Sequence, residues 1–101
     1  VDYPYYAKKL SKKLKNIYNS KGILFCGTGI GISMAANRFS HIRAALCTSV
    51  EMASKSRKHN DANVLALGGR ILDDKLALEI VKEFLNTEFE AGRHSLRVDK
   101  I

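Results

Sequence analysis

Apolar positions along the first fifth of the chain, Tyr3, Tyr6, Ala7, Leu10, Leu14, Ile17 and Tyr18, recur at helical spacing with lysines between them, which predicts an amphipathic helix over residues 3–18. Asp2 and Pro4 both suit its start, since each residue type manages the unpaired amides of a first turn. From Gly22 the pattern changes to a continuous apolar run over residues 23–26, as in a strand covered on both faces. A glycine-rich turn and a short helix over 30–38 follow, then a second strand over 42–47. Thr48 and Glu51 have the spacing of a capping box, placing a helix from there to about Lys58. A third strand over 63–67 ends at Gly68-Gly69. Asp73 or Asp74 caps a last long helix whose buried face holds Leu76, Ala77, Ile80, Val81, Phe84 and Leu85, and the tail over 90–101 is polar.

Strands alternating with helices through short loops imply parallel strands, hence an α/β fold with an open, Rossmann-like, three-layer sheet. Residues 1–101 form one domain, without repeat or linker. Ligands of such sheets bind beyond the carboxyl ends of the strands. Those ends carry residues 26–31, 47–48 and 68–70.

With 101 residues, 46% hydrophobic and 27% charged, the chain has globular usage, and disorder is excluded. A net charge of +7 raises the question of a polyanion partner. Lys8, Lys9, Lys12, Lys13 and Lys15, however, fall on one outer helix face and read as solvated. Arg57, Arg70, Arg93 and Arg97 lie near loop ends, a distribution that suits a small phosphorylated ligand. No cluster of aromatics for base stacking accompanies them, so a nucleic acid is not the expected partner. Cys26 and Cys47 have neither CxxC spacing nor a Cys/His cluster, which argues against a disulfide scaffold or a zinc site and for a reducing compartment. No apolar run approaches the roughly 20 residues of a membrane span and no signal peptide is visible, so the expected location is cytoplasmic.

The chemistry concentrates after the first strand, in Cys26-Gly27-Thr28-Gly29-Ile30-Gly31. Glycines at a strand-to-helix turn let a ligand approach the backbone, and their N–H groups make a nest for an anion. The spacing is GxGxG and not the GxGxxG of a dinucleotide fingerprint, although Glu51 stands about where its ribose-binding acid would; no Gly-Lys-Ser/Thr follows, which excludes a P-loop. A tight turn without a ligand is the plain alternative. Cys26 reads either as inert strand packing or as a thiol activated by neighbouring N–H donors to serve as a base. Cys47, without glycines around it, reads as core. His59, before Asn60 and Asp61, is either a surface residue at a helix end or an acid–base group. Arg93 and Arg97, spaced i, i+4, are either solvated charges or a phosphate clamp, with Arg70 a third candidate. His41 and His94 read as loop or surface residues.

Taken together, 26–33 (CGTGIGIS), Ala35-Ala36-Asn37-Arg38, Ile42-Arg43-Ala44, 56–66 (SRKHNDANVLA), Gly69-Arg70 and Gly92-Arg93-His94 with Arg97-Val98 closely resemble ribose-5-phosphate isomerase type B, over nearly the whole chain. The resemblance implies interconversion of ribose 5-phosphate and ribulose 5-phosphate through an enediolate, without metal or cofactor. It makes Cys26 the proton carrier and Thr28 with the amides of Gly27, Gly29 and Gly31 the hole for the enediolate oxygen. His59 would open the furanose ring with Asn60 beside it on the substrate. Arg70, Arg93 and Arg97 would bind phosphate, and Tyr3 would lie near the sugar. It also implies a homodimer or homotetramer with sites shared across an interface. A neighbouring family that isomerises galactose 6-phosphate shares the fold, and allose 6-phosphate is a further candidate substrate. Some ribose enzymes use a glutamate base on the helix after the loop; Ile30-Gly31-Ile32-Ser33 stands there in this chain, which implies the cysteine type.

The resemblance begins part-way in. The family opens with a strand ending in a Gly-Cys-Asp-His-like motif, a helix and a second strand, ahead of the position of Asp2-Tyr3-Pro4. The expectation is therefore the C-terminal two-thirds of a longer protein, with an apolar strand edge beside Cys26 left unpaired. A non-catalytic phosphate- or polyanion-binding fragment is the contrasting expectation.

Overall fold

The structure is a computed structural model and describes residues 2–101. Three parallel strands, β1 (Gly22–Cys26), β2 (Ala44–Leu46) and β3 (Val64–Gly68), lie in the order β1-β3-β2. The helices α1 (Tyr3–Leu14) and α2 (Ile30–Ala36) cover one face, while α3 (Val50–Lys58) and α4 (Asp74–Asn86) cover the other. A single 3₁₀ turn, Gly92–His94, leads into the short α5 (Ser95–Val98). The arrangement is the open three-layer α/β sandwich expected from the sequence.

β3 is central because its five residues are all buried, as a strand covered on both faces requires. Val64 and Ala66 point into a core with Ala7, Leu24, Ile32, Ala36 and Ile42. Leu65 and Leu67 point into the opposite core with Cys47, Ala53, Leu72, Ile80 and Phe84. Strand periodicity thus splits one apolar run between two cores. The outer edge of β1 carries no partner strand among the described residues, and Phe25 on it is half exposed.

Several local expectations are corrected. α1 ends at Leu14, and Ile17 and Tyr18 are exposed; the face it buries is centred on Ala7 and Ser11, with Tyr3 and Tyr6 toward solvent. Pro4 sits in its first turn, but the Asp2 side chain makes no capping bond. The cap of α3 is Ser49, one residue beyond the predicted Thr48. Ser49 has the extended backbone that aims its Oγ at the Met52 amide, 3.1 Å away. β2 is shorter than predicted because side chains replace the ladder on its approach. Asn63 accepts from the Arg43 amide and donates to the His41 carbonyl, and Asn37 bonds both backbone groups of Ala44. Asp73 caps α4 through the Leu76 amide, and Leu85 is exposed.

Candidate active site

Beyond the carboxyl end of the sheet lies a cleft of about 540 Å³ lined by Tyr3, Phe25, Cys26, Gly27, Thr28, Gly31, Gly69 and Arg70. The backbone shapes it. Gly29 has φ 81°, in the left-handed region, and a Cβ there would stand 2.5 Å from the Leu46 side chain. Its N–H therefore turns back and donates to Cys26 Sγ at 3.2 Å, while the Ile30 amide donates to Thr28 Oγ1 at 3.2 Å. The Tyr3 ring closes one side by packing where a Gly31 side chain would be, at 2.7 Å from the notional Cβ. The Arg70 guanidinium crosses the other side, 3.2 Å from a notional Gly27 Cβ. It is held there by the Gly69 amide on the Cys26 carbonyl and the Arg70 amide on the Gly27 carbonyl, at 2.8 and 2.9 Å. Cys26, Thr28, the loop glycines, Tyr3 and Arg70 thus come together: a thiol, a hydroxyl, amides and one cation around a space of small-ligand size.

The two cysteines differ sharply. Cys26 is partly exposed in the cleft, whereas Cys47 lies in the core. Burial pushes the Cys47 thiol up, opposed by a hydrogen bond from Ser56, so it stays protonated and inert.

His59, Asn60, Arg93 and Arg97 are not in this cleft. α3 leaves the carboxyl end of β2 and runs back, so His59 arrives at the amino end of the sheet, just before β3 begins at Val64. The length of β3, roughly 16 Å at strand rise, separates the two groups. Asn60 lines a second cavity of about 560 Å³ along β2, together with Asn37, Phe39, Arg43 and the terminal Ile101.

A buried guanidinium positions the His59 turn. Arg57, 5% exposed, donates Nε to the Thr87 carbonyl and Nη1 to the Ala62 carbonyl and to Asp61, at 3.0, 2.6 and 3.0 Å. Arg43 completes the clamp on the other carboxylate oxygen at 3.1 Å. Arg57 therefore leaves the set of cations expected for a phosphorylated ligand: it ties the ends of α3 and α4 together. His41 is likewise structural, its Nε2 2.6 Å from the Ser11 carbonyl of α1.

His94 departs most from expectation. Far from being a surface residue it is 8% exposed and stacks on His59, ring centroids 4.2 Å apart and planes 18° from parallel. Glu90 Oε1 lies 3.9 Å from Nε2 of each ring. Burial, then the positive charges of His59 and Arg93, with Arg97 adding to them and Glu90 opposing, hold the His94 imidazole below its ordinary value. The signal in the sequence was the i, i+4 spacing of Glu90 and His94. These three residues are the one group among the described residues whose donor atoms approach within the range of a metal site, 4.8 Å. Face-to-face rings, however, keep their in-plane lone pairs in separate planes, and two guanidiniums bear on the group. It is poorly matched to a cation and well matched to an anion and a shared proton. No described helix is long and apolar enough to cross a membrane.

Fold and cleft together define an open α/β protein whose carboxyl end is built around a thiol and a glycine-rich loop, with a second polar cluster at the far end of the sheet. The ribose/galactose isomerase family matches over residues 1–101, and the chain belongs to that family of sugar-phosphate isomerases. It is 47% identical to ribose-5-phosphate isomerase B of Escherichia coli over all of its length and 68% of that protein's. The crystal structure of a ribose 5-phosphate isomerase from Thermotoga maritima superposes with a TM-score of 0.95 at 51% identity, covering 99% of this chain and 69% of that one. Ribose-5-phosphate isomerase B from Mycoplasma genitalium, solved with bound ribulose-5-phosphate, superposes with a TM-score of 0.94 at 44% identity, over 99% of this chain and 66% of that one.

Proposed function

We propose that this isomerase interconverts ribose 5-phosphate and ribulose 5-phosphate, with Cys26 moving the proton. The observation that carries the reading is Cys26 Sγ in the cleft, held by the Gly29 amide and flanked by Thr28, Tyr3 and Arg70. The ribulose-5-phosphate in the Mycoplasma genitalium relative supports the same substrate class. As thiolate, Cys26 takes the proton from C2 of the open-chain aldose. The C2–H electron pair becomes the C1=C2 bond of the enediolate, and the carbonyl oxygen takes up negative charge beside the loop amides. The O2 proton passes to O1, and return of the carried proton to C1 with collapse of the C2 oxygen to a carbonyl gives the ketose. Atoms and electrons balance within the substrate, so the steps call for no metal or cofactor. The family's description names galactose as well as ribose; comparing kcat/KM for ribose 5-phosphate, galactose 6-phosphate and allose 6-phosphate decides among them. Two free thiols support a reducing, cytoplasmic setting.

In this reading His59 opens the cyclic sugar, Asn60 holds it, and Arg93 and Arg97 receive its phosphate together with Arg70. Because one chain keeps these residues a strand length from Cys26, the working unit is a homodimer, or a homotetramer of such dimers, in which each site takes Cys26 from one copy and His59 from the other. Mixing inactive Cys26→Ala and His59→Ala enzymes and assaying ribose 5-phosphate tests this. Random reassortment makes about half the dimers mixed, each with one intact site, and restores about a quarter of native activity. A mixture no more active than its components would overturn the shared site.

A further inference from the structure

Around His94 the chain makes an uncommon turn. Ala91 and Gly92 both have positive φ, 58° and 55°, and reverse the chain so that Glu90 and His94 face one another. The turn is fixed by backbone: the Glu90 amide donates to the Lys58 carbonyl at the end of α3, and the His94 amide to the Ala91 carbonyl, at 3.1 and 3.0 Å. An alanine in the left-handed region is strained, and what the strain achieves is the placement of one carboxylate oxygen equidistant from two stacked imidazoles.

We propose that Glu90 is a positioning residue for the isomerisation, holding His59 and His94 as one stacked pair that delivers a proton to the ring oxygen of the cyclic sugar phosphate as its bond to C1 breaks, the C1 hydroxyl giving its own proton to water as it becomes the carbonyl. The inference rests on the reading of His59 as the ring-opening group. At 3.9 Å the carboxylate is too far for a direct hydrogen bond and acts through its charge, or through one intervening water. The charged groups around the pair are Glu90 and Arg93 on the turn and Arg97 on α5, and the Lys58 carbonyl of α3 receives the Glu90 amide. Two of these three are cations, and a phosphate would be drawn to them. Without Glu90 the same field would hold the His94 imidazole further below its ordinary value. Two stacked rings cannot both be charged cheaply, and burial with the adjacent cations makes His94 the neutral member. Glu90 opposes the cations at His94, and its place 3.9 Å from both Nε2 atoms keeps either ring within reach of its charge.

The test is Glu90→Gln in the intact enzyme, with Glu90→Asp as the charge-conserving partner. With ribose 5-phosphate, Glu90→Gln should lower kcat about tenfold and leave KM within about twofold. The alkaline limb of its pH profile should move about half a unit toward acid, because loss of a nearby anion disfavours imidazolium. Solvent exchange of the C1 proton of ribulose 5-phosphate, which passes through the enediolate without closing a ring, should fall much less, and Glu90→Asp should recover most of the pH profile. The His94 ring resonances, followed by NMR, should titrate at lower pH in Glu90→Gln than in the native enzyme. An unchanged profile, or an equal loss of isomerisation and C1 proton exchange, would overturn the proposal, since a merely structural turn predicts those results. His59→Ala separates the two readings: if it loses C1 proton exchange as much as isomerisation, ring opening by His59 is wrong; if it spares exchange while Glu90→Gln changes nothing, only the role of Glu90 fails.

Discussion

The two ends of the sheet hold functional groups by different means. At the carboxyl end the chemistry is set by backbone: a left-handed Gly29, amides turned toward sulfur and hydroxyl, and a tyrosine seated where a side chain would otherwise stand. At the amino end it is set by side chains: a buried Arg57, an Asp61 bridging two arginines, and two imidazoles stacked beside a carboxylate. A backbone site is compact in sequence, spanning residues 26–31 with Arg70 added. The side-chain site draws on 43, 57–61 and 90–97. The first tolerates few substitutions, whereas the second can be taken apart one interaction at a time.

The comparison breaks most visibly at Cys26. Cys26→Ala should lower isomerisation by about 10³-fold or more while leaving the fold intact and binding of a phosphorylated inhibitor within a fewfold, read by steady-state kinetics and calorimetry. Retained turnover would remove the base from the carboxyl end altogether. At the other end, Arg57→Ala should destabilise the protein by about 3 kcal/mol, since two carbonyls and the Asp61 carboxylate lose their donor, and it should loosen His59 as well. Urea unfolding checks the stability, and the ratio of isomerisation to C1 proton exchange in ribulose 5-phosphate checks His59. The smallest effect is in pH. His94 binds protons less readily folded than unfolded, so the stability it contributes is fully present above the ordinary histidine value of about 6.5 and is lost as pH falls below it. The thermal midpoint should therefore drop between pH 7 and 5, and drop less steeply in His94→Gln.

How much of this was legible follows the same division. The carboxyl-end loop could be read because glycines, a thiol and a strand end are adjacent, and each residue type has a local reason. The layers could be read from periodicity, and the central strand's continuous run foretold burial on both faces. The amino end was less legible because its parts meet only through tertiary structure. Nothing local distinguishes Arg57, which is buried and structural, from Arg93, which is exposed on a turn. His94 looked like a surface residue because its burial comes from stacking on a residue 35 positions earlier. The boundaries at Ser49 and Ala44 moved where a cap or an asparagine side chain competed with propensity.

The Arg57 clamp also has a bearing on time. The Asp61 amide donates to the Arg57 carbonyl, the Ala62 amide to Ser56, and the Glu90 amide to Lys58, while the guanidinium itself holds Thr87, Asp61 and Ala62. For the turn carrying His59 to open by itself, three elements would have to part and a buried cation would have to lose its partners together. Local opening is then nearly as costly as opening the whole fold, so these amides should exchange with solvent at the pace of global unfolding, while the half-exposed strand beside Phe25 exchanges far sooner.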